Sequence, residues 1–497
     1  MADLSAGVLP VVAIDRDCAT PLHRQIYDGY RAAILRGDLR PGQQLPSSRA
    51  LATEIGISRF PILDAYAQLL TEGYFESRTG AGTFVSESLP DQLTSASNGT
   101  RGTAHIDSRP RPVSRRAGLL PHFAETPWRH GWGAFGVHQP ALDQFPFRTW
   151  ASLVTRHSLS PRASAIHRVD PQGVEQFREV ISNYLGTARG VQCNPEQIMI
   201  VSGSQQALEI ASRVLLDAGD TVWVEEPGYQ LTRAVLMGAG CRLAPVPVDD
   251  DGMNVAAGIK RSPKARAAFV TPSHQYPLGV TMSASRRLQL LNWAHSSGAW
   301  IIEDDYDSEY RYGSMPIASL QGLDRNSRVI YIGTFSKVLF ASLRLGYIVV
   351  PPDLVEPFRR VRFAMDIFPS YLYQEVLTDF IKEGHFARHI RRMRLLYSER
   401  RTTLAKRVRE EFGDQVQILG SEAGMHMAVT LPESLDDVEI ANRAAQDRIW
   451  LWPLSPSYLG KKKRPGFILG FGSAPTEQIP EAVRRMRAAF SDRRAHV

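Results

Sequence analysis

Cysteine is scarce: Cys18, Cys193 and Cys241 are the only three in 497 residues, far apart, with no CxxC pair and no histidine cluster beside them. That spacing excludes a disulfide framework, supplies no zinc-ligand set and fits a reducing compartment. Long apolar runs are also missing. No secretory h-region follows Met1, and no stretch reaches the ~18 apolar residues that span a bilayer. The expectation is a cytoplasmic chain with no membrane partner and no metal. Lysine is absent from the first 90 residues, which hold eight Arg against ten Asp or Glu. The formal charge of +7 is carried elsewhere: on Arg101, Arg109, Arg111, Arg115 and Arg116, on an Arg-rich stretch from Arg388 to Arg409, and on Lys461 to Arg464. Net charge alone therefore decides nothing about a nucleic-acid partner.

What is present is an ordinary globular composition, 43% hydrophobic and 22% charged, over a length of roughly three domain-sized units. Three regions separate. Residues 15–88 carry short helical patterns and then a glycine-punctuated hairpin. Residues 89–135, with SESLPDQLTSASNGTRGT and RPRPVSRRAG, read as a flexible linker that stiffens where prolines recur. Residues 136–497 alternate apolar strand-like runs with helical patterns, the signature of an α/β domain.

In the first region Leu22, Ile26, Tyr30, Ala33 and Ile34 form one helical stripe that Gly37 stops. Ser47 is placed to cap a short helix carrying Leu51 and Ile55, which Gly56 ends. Ser58 is placed to cap the next helix, whose first turn tolerates Pro61 and whose stripe is Ile62, Tyr66, Leu69 and Leu70. Two helices joined through Gly56-Ile57 make a helix-turn-helix, the second entering a DNA major groove by its N-terminal end. Tyr74-Phe75-Glu76 and Thr83-Phe84-Val85 then flank Arg78-Thr79-Gly80-Ala81-Gly82, a two-stranded wing. The phrases G-x-L-x-P-G-x-x-L-P-S-S-R, S-R and G-Y-x-x-x-R-x-G-x-G-T-F-V resemble the GntR-type winged helix, an α+β fold, along its whole length. The resemblance implies Arg49 and Arg59 as leading DNA contacts, with Ser47, Ser48, Ser58, Gly80 and Gly82 near phosphate. Pro61 stands where that family often has Thr.

In the third region five apolar runs each lead into a polar cluster: 198–201 into Ser202-Gly203-Ser204-Gln205-Gln206, 221–224 into Glu225-Glu226-Pro227-Gly228-Tyr229, 267–271 into Pro272-Ser273-His274-Gln275, 300–302 into Glu303-Asp304-Asp305-Tyr306, and 329–332 into Gly333-Thr334-Phe335-Ser336-Lys337. Ligands of open α/β sheets sit beyond the carboxyl ends of the strands, so the five clusters should converge on one crevice. The chemistry they suit is that of pyridoxal 5'-phosphate (PLP). Lys337 makes the Schiff base, Asp304 pairs with the ring nitrogen, Tyr306 reaches the ring hydroxyl and Tyr229 stacks on the ring. Ser204, Gln205, Ser336 and Arg344 serve the phosphate. Singly each signal is commonplace; their order is what carries weight.

SGSQQALE, EEPGY, EDDYDSEY and GTFSKVLFASLRLGY resemble the α/β fold-type-I aminotransferases. With the winged helix in front, the chain outside the linker is similar to the MocR/GabR family of regulators. That resemblance implies PLP on Lys337, a homodimer, a double-stranded DNA operator as partner, and a small-molecule effector. The effector is PLP itself or an amine or amino-acid-type compound sensed through the aldimine. Three departures bear on turnover. Gln275-Tyr276-Pro277-Leu278-Gly279 replaces the usual N-P-x-G, His167 stands for a partner-subunit Tyr, and the carboxylate-gripping Arg is replaced around Phe467-Ile468-Leu469. The expectation is a sensor rather than an enzyme, with weak residual aminotransferase activity allowed. A working aminotransferase with an accessory N-terminal module, and a cofactor-free dimerisation scaffold, are the alternatives.

Overall fold

Residues 14–89, 111–120, 127, 133–159, 170–313 and 317–490 are described by a computed structural model, and the chain divides into two units, Met1–Arg111 and Pro112–Val497. The linker expected at 89–135 is only partly among them. Its residues 112–120 belong to the second unit, where Arg115–Leu119 is a short helix. Phe135 is fully buried in that unit's core. His167 lies outside the described residues.

In the first unit the apolar stripe folds as α1 (Leu22–Arg36), burying Ile26, Tyr27, Tyr30, Ala33 and Ile34 and ending at Gly37 with φ 80°. Helices α2 (Ser48–Ile55) and α3 (Arg59–Thr71) follow, joined at Gly56, whose φ of 67° is left-handed and suits a residue without Cβ. Ser47 caps α2 by accepting from Ala50 N. Ser58 occupies the cap position of α3, but its hydroxyl makes no capping bond, which corrects the expectation. The reason is local. A capping hydroxyl bonds the N–H two or three residues inside the helix; the donor that Ala50 provides in α2 is replaced in α3 by Pro61, which has no N–H, leaving only the Phe60 N–H, which Ser58 does not engage. The wing strands β1 (Phe75–Arg78) and β2 (Gly82–Val85) pair from Phe75↔Val85 to Arg78↔Gly82. They are longer than the sequence suggested and leave only three residues at the tip. Tyr30, Tyr66 and Phe75 meet edge-on, with ring centroids 5.2–5.6 Å apart, at the centre of this core.

The second unit is built on an eight-stranded sheet in the order β3 (Ile198–Val201), β10 (Gly346–Val349), β9 (Val329–Thr334), β8 (Trp300–Asp305), β7 (Ala267–Val270), β4 (Thr221–Glu226), β5 (Arg242–Asp249), β6 (Gly252–Met253). Only β10 and β6 run against the others. The five strands read from sequence are therefore parallel to one another, and their carboxyl ends share one edge of the sheet. The strands β3, β7 and β9 are wholly buried, as expected of a parallel sheet covered on both faces. On one face Ala207, Leu208 and Ala211 of α4 (Ser204–Leu215) pack on Ile302, Ile330, Ile332 and Ile348. On the other, Trp223 and Trp293 stack at 3.8 Å beside Leu290 and Ile301. A second, antiparallel sheet, β11 (Gln417–Leu419), β12 (His426–Thr430), β14 (Gly466–Gly470), β13 (Trp452–Pro453), packs on the long α5 (His385–Phe412). Segment 133–138 joins that sheet: Trp450 N donates to Ala134 O at 2.9 Å and Gly470 N to Phe135 O at 3.0 Å.

Candidate functional site

The parallel strands deliver Ser204, Tyr229, Asp304, Tyr306 and Lys337 to one crevice, together with Thr271, Tyr276 and His138. The first five were expected. The last three were missed: Thr271 sits one residue beyond β7, Tyr276 in the loop that replaces N-P-x-G, and His138 in a segment without periodicity. His138 holds a φ of 66°, as does its near neighbour Phe135 at 68°; such backbone is uncommon outside glycine and clusters at functional sites. Its ring stacks on Tyr276 at 5.2 Å and meets Tyr229 and Tyr306 edge-on.

Asp304 and Lys337 face each other electrostatically. Burial pushes the Asp304 carboxyl up to about 7, with neighbouring Asp305 adding and Lys337 opposing. Burial likewise lowers the Lys337 amine to about 8, with Asp304 and Asp307 opposing and Arg344 assisting. An amine in that range is neutral, hence nucleophilic, in a substantial fraction near pH 7–8. The Oδ1 atom of Asp304 is buried without a hydrogen-bond partner. An isolated carboxylate oxygen of this kind is costly unless something donates to it.

Beside the crevice lies an anion cup. Gly203 precedes α4 with φ 129° and ψ 174°, and a Cβ there would stand 3.5 Å from the Arg344 guanidinium. The arginine thus lies against a bare glycine at a helix N-terminus, where backbone N–H groups and the helix dipole favour a phosphate. Arg344 itself has φ 51°. Ser336 is buried, its N–H donating to Thr334 Oγ1 at 3.2 Å. Gln205 is half-buried in the first turn of α4. Gln205, Ser336 and Arg344 lie outside the set of residues lining the crevice itself.

Other side chains are already committed. Tyr306 donates its hydroxyl to His274 O at 2.8 Å. Gln275 braces its loop by donating to Pro227 O and Glu225 Oε2 and accepting from Leu278 N. His274, Asp307 and His426 bring ligand atoms within 4.8 Å of one another, a grouping the expectation of no metal did not foresee. His274 spends one nitrogen on Asp307 Oδ2 at 3.1 Å and the other points at Gly420 O at 3.4 Å. Burial pushes His138 and His426 well below the ordinary imidazole range, so neither ring is cationic. Ile468 packs with Val137, Tyr276, Leu278, Tyr306 and Leu454, behind the crevice rather than in its lining, and no arginine is among the lining residues.

In the first unit Arg49 and Arg59 are exposed at the starts of α2 and α3. Arg59 Nε donates to Ser48 Oγ at 2.9 Å, tying the two helices of the motif together. Gly80 and Gly82 have φ of 77° and 111° in the wing.

Residues 22–85 match the bacterial regulatory proteins of the gntR family, and residues 156–485 match aminotransferase class I and II. A "probable rhizopine catabolism regulatory protein MocR" of Rhizobium meliloti is 41% identical, over 97% of this chain and 96% of its own length. The chain belongs to the MocR/GabR family. A second member, the pyridoxine biosynthesis transcriptional regulator PdxR of Corynebacterium glutamicum, is 30% identical over 97% of this chain and 98% of its own. Among solved structures, an archaeal alanine:glyoxylate aminotransferase aligns with TM-score 0.71 and 25% identity over 76% of this chain and 97% of its own. The LysN α-aminoadipate aminotransferase of Thermus thermophilus, complexed with a phosphopyridoxyl-leucine, gives 0.69 and 26% over 76% and 96%. The family architecture is thus a GntR winged helix joined to a fold-type-I aminotransferase domain, and the relatives named are transcriptional regulators. No helix among the described residues is long and apolar enough to cross a membrane.

Proposed function

We propose that this protein is a PLP-dependent, DNA-binding transcriptional regulator of the cytoplasm that acts as a homodimer on a double-stranded operator. The observation that carries the reading is the orphaned Asp304 oxygen sharing a crevice with the Lys337 amine, beside the Gly203–Arg344 cup. That donor set fits PLP. When bound, the cofactor supplies a carbonyl that condenses with amines and a ring that withdraws electrons. Lys337 would present to that carbonyl an amine that burial has lowered to about 8, Asp304 would hold a proton at the ring nitrogen, and the N-terminus of α4 with Arg344 would hold the phosphate. Tyr229, Tyr276 and His138 close the crevice against water.

The effector is PLP itself or an amine or amino-acid-type compound that reacts at the same carbon. The crevice lining offers no arginine to grip a substrate carboxylate, which favours sensing over efficient transamination; any aminotransferase turnover is weak. Arg49 and Arg59, with Ser47, Ser48, Ser58, Gly80 and Gly82, form the DNA-facing side of the first unit.

The test is spectroscopic and needs only purified protein. A visible absorbance band should be present, should be abolished by borohydride and should be missing from folded Lys337→Ala. Amines and amino acids should shift the band and change operator affinity with little sustained keto-acid formation. A colourless protein that binds its operator normally refutes the cofactor reading. Sustained multiple turnover with no effect on DNA binding favours the enzyme alternative instead.

A further inference from the structure

We propose that Phe60 and Leu63 form an apolar reading edge on α3 that packs against thymine methyl groups in the major groove, making the protein select thymine beside the base read by Arg59. The proposal rests on the DNA-binding reading of the first unit. Phe60 is 77% exposed and Leu63 43%. The only other exposed large hydrophobic residue in the described part of this unit is Leu35, on α1. Residues 60, 63 and 67 lie on one helical stripe, and Ala67 is exposed as well. The opposite stripe of α3, namely Ile62, Ala65, Tyr66 and Leu69, is buried in the core. The helix thus already has its packing face, and Phe60 and Leu63 project from the other one.

Position decides what covers them. Phe60 is the second residue of α3, next to Arg59, which is fixed by its bond to Ser48 Oγ. The N-terminal turn of the second helix is the part of a helix-turn-helix that reaches base edges. In the major groove the one apolar group a base pair offers is the C5-methyl of thymine, and Phe is among the side chains that meet it. Asp64 is exposed on the same face. A carboxylate there repels phosphate, which keeps this edge toward the bases, and it can accept from cytosine N4.

The experiment uses the full chain and a random-sequence DNA duplex pool at fixed salt. Selected sites should carry a thymine at a constant place in each half-site. Replacing that thymine by deoxyuridine removes only the methyl group and should weaken wild-type binding about fourfold, the factor for burying one methyl-sized group. Phe60→Ala should bind the thymine and uridine duplexes equally, keep its melting temperature and keep its salt dependence, because no phosphate contact is lost. Reselection with Phe60→Ala should relax the thymine and retain the Arg59-dependent base. Uridine scanning that leaves wild-type affinity unchanged at every position overturns the proposal, as does thymine discrimination that survives in Phe60→Ala. If the pool yields no selected sequence at all, the DNA-binding reading itself falls.

Discussion

Arg189 donates its Nε to Asp305 Oδ2 at 2.7 Å, with both side chains buried. That pair divides two adjacent carboxylates into two tasks. Asp305 also accepts from Tyr331 Oη at 2.5 Å, and Arg189 binds Ser273 Oγ at 2.7 Å, so this acid is a strut behind the sheet. Its neighbour Asp304 lines the crevice; both acids leave Oδ1 without a partner, but only that of Asp304 belongs to a crevice-lining residue. Glu303, next again, accepts from Leu320 N and Gln321 N at 2.9 Å each.

Asp305→Asn should therefore leave the Arg189 guanidinium buried without its counter-charge and cost about 3–5 kcal/mol of stability. Asp304→Asn should cost little, because burial already disfavours the charged carboxyl and holds it up at about 7, and should instead weaken PLP binding. Urea unfolding and cofactor titration of the two variants check both statements. Equal stability of Asp305→Asn and wild type would mean that the pair is not structural.

Lys337→Met should stabilise the cofactor-free protein in a pH-dependent way. The amine's pKa is lowered in the fold from 10.5 to about 8, so the unfolded chain binds the extra proton between those values. The penalty is full below pH 8 and vanishes by pH 10.5, where both states are neutral. Removing the amine should then gain up to about 3 kcal/mol at pH 7, and the gain should fade between pH 8 and 10.5. Asp304, already pushed up to about 7, takes up a proton when its partner is gone. Denaturant midpoints measured across that window decide it; a pH-independent gain would be a packing effect.

Much of this was legible in the sequence because a parallel sheet writes each buried strand as an apolar run and each ligand-facing loop as a polar cluster after it. Lys337, Asp304, Tyr229, Tyr306 and Ser204 could be read that way. His138 could not, since a loop residue at positive φ has no periodicity to betray it. The strand Gly346–Val349 has no such signature, because it follows Arg344 at once and runs antiparallel between β3 and β9. The weakened Ser58 cap is legible in the sequence, since Pro61 lacks the N–H that a cap would bond.

Arg59→Ala should weaken operator binding by about 1–3 kcal/mol if its contact to a base is bidentate, with the absorbance spectrum unchanged. Ser48 contributes by holding Arg59 Nε, leaving the two terminal nitrogens to face a base. Ser48→Ala should therefore lose less affinity than Arg59→Ala, and the double variant should lose no more than Arg59→Ala alone. A double-mutant cycle on a mapped operator at fixed salt measures this. Additive losses would show that Ser48 reaches the DNA by itself.

Ser47 and Ser58, at equivalent helix starts, should respond differently to truncation. Ser47 accepts from Ala50 N at 3.2 Å, so Ser47→Ala should destabilise the winged helix by about 1 kcal/mol. Ser58 sits at the equivalent place in α3 with no capping bond, where Pro61 removes the donor that Ala50 supplies in α2. Its hydroxyl is exposed-side and uncommitted to the helix, so Ser58→Ala should change stability by only a few tenths of a kcal/mol. If that hydroxyl serves a phosphate, the same variant should weaken binding similarly to all DNA sequences, since backbone contacts position a protein without reading bases. Thermal unfolding of the N-terminal transition, with binding to a selected and a scrambled duplex, separates these effects. A Ser58→Ala loss of stability as large as that of Ser47→Ala would mean that α3 is capped after all, and the role assigned to Pro61 would be wrong.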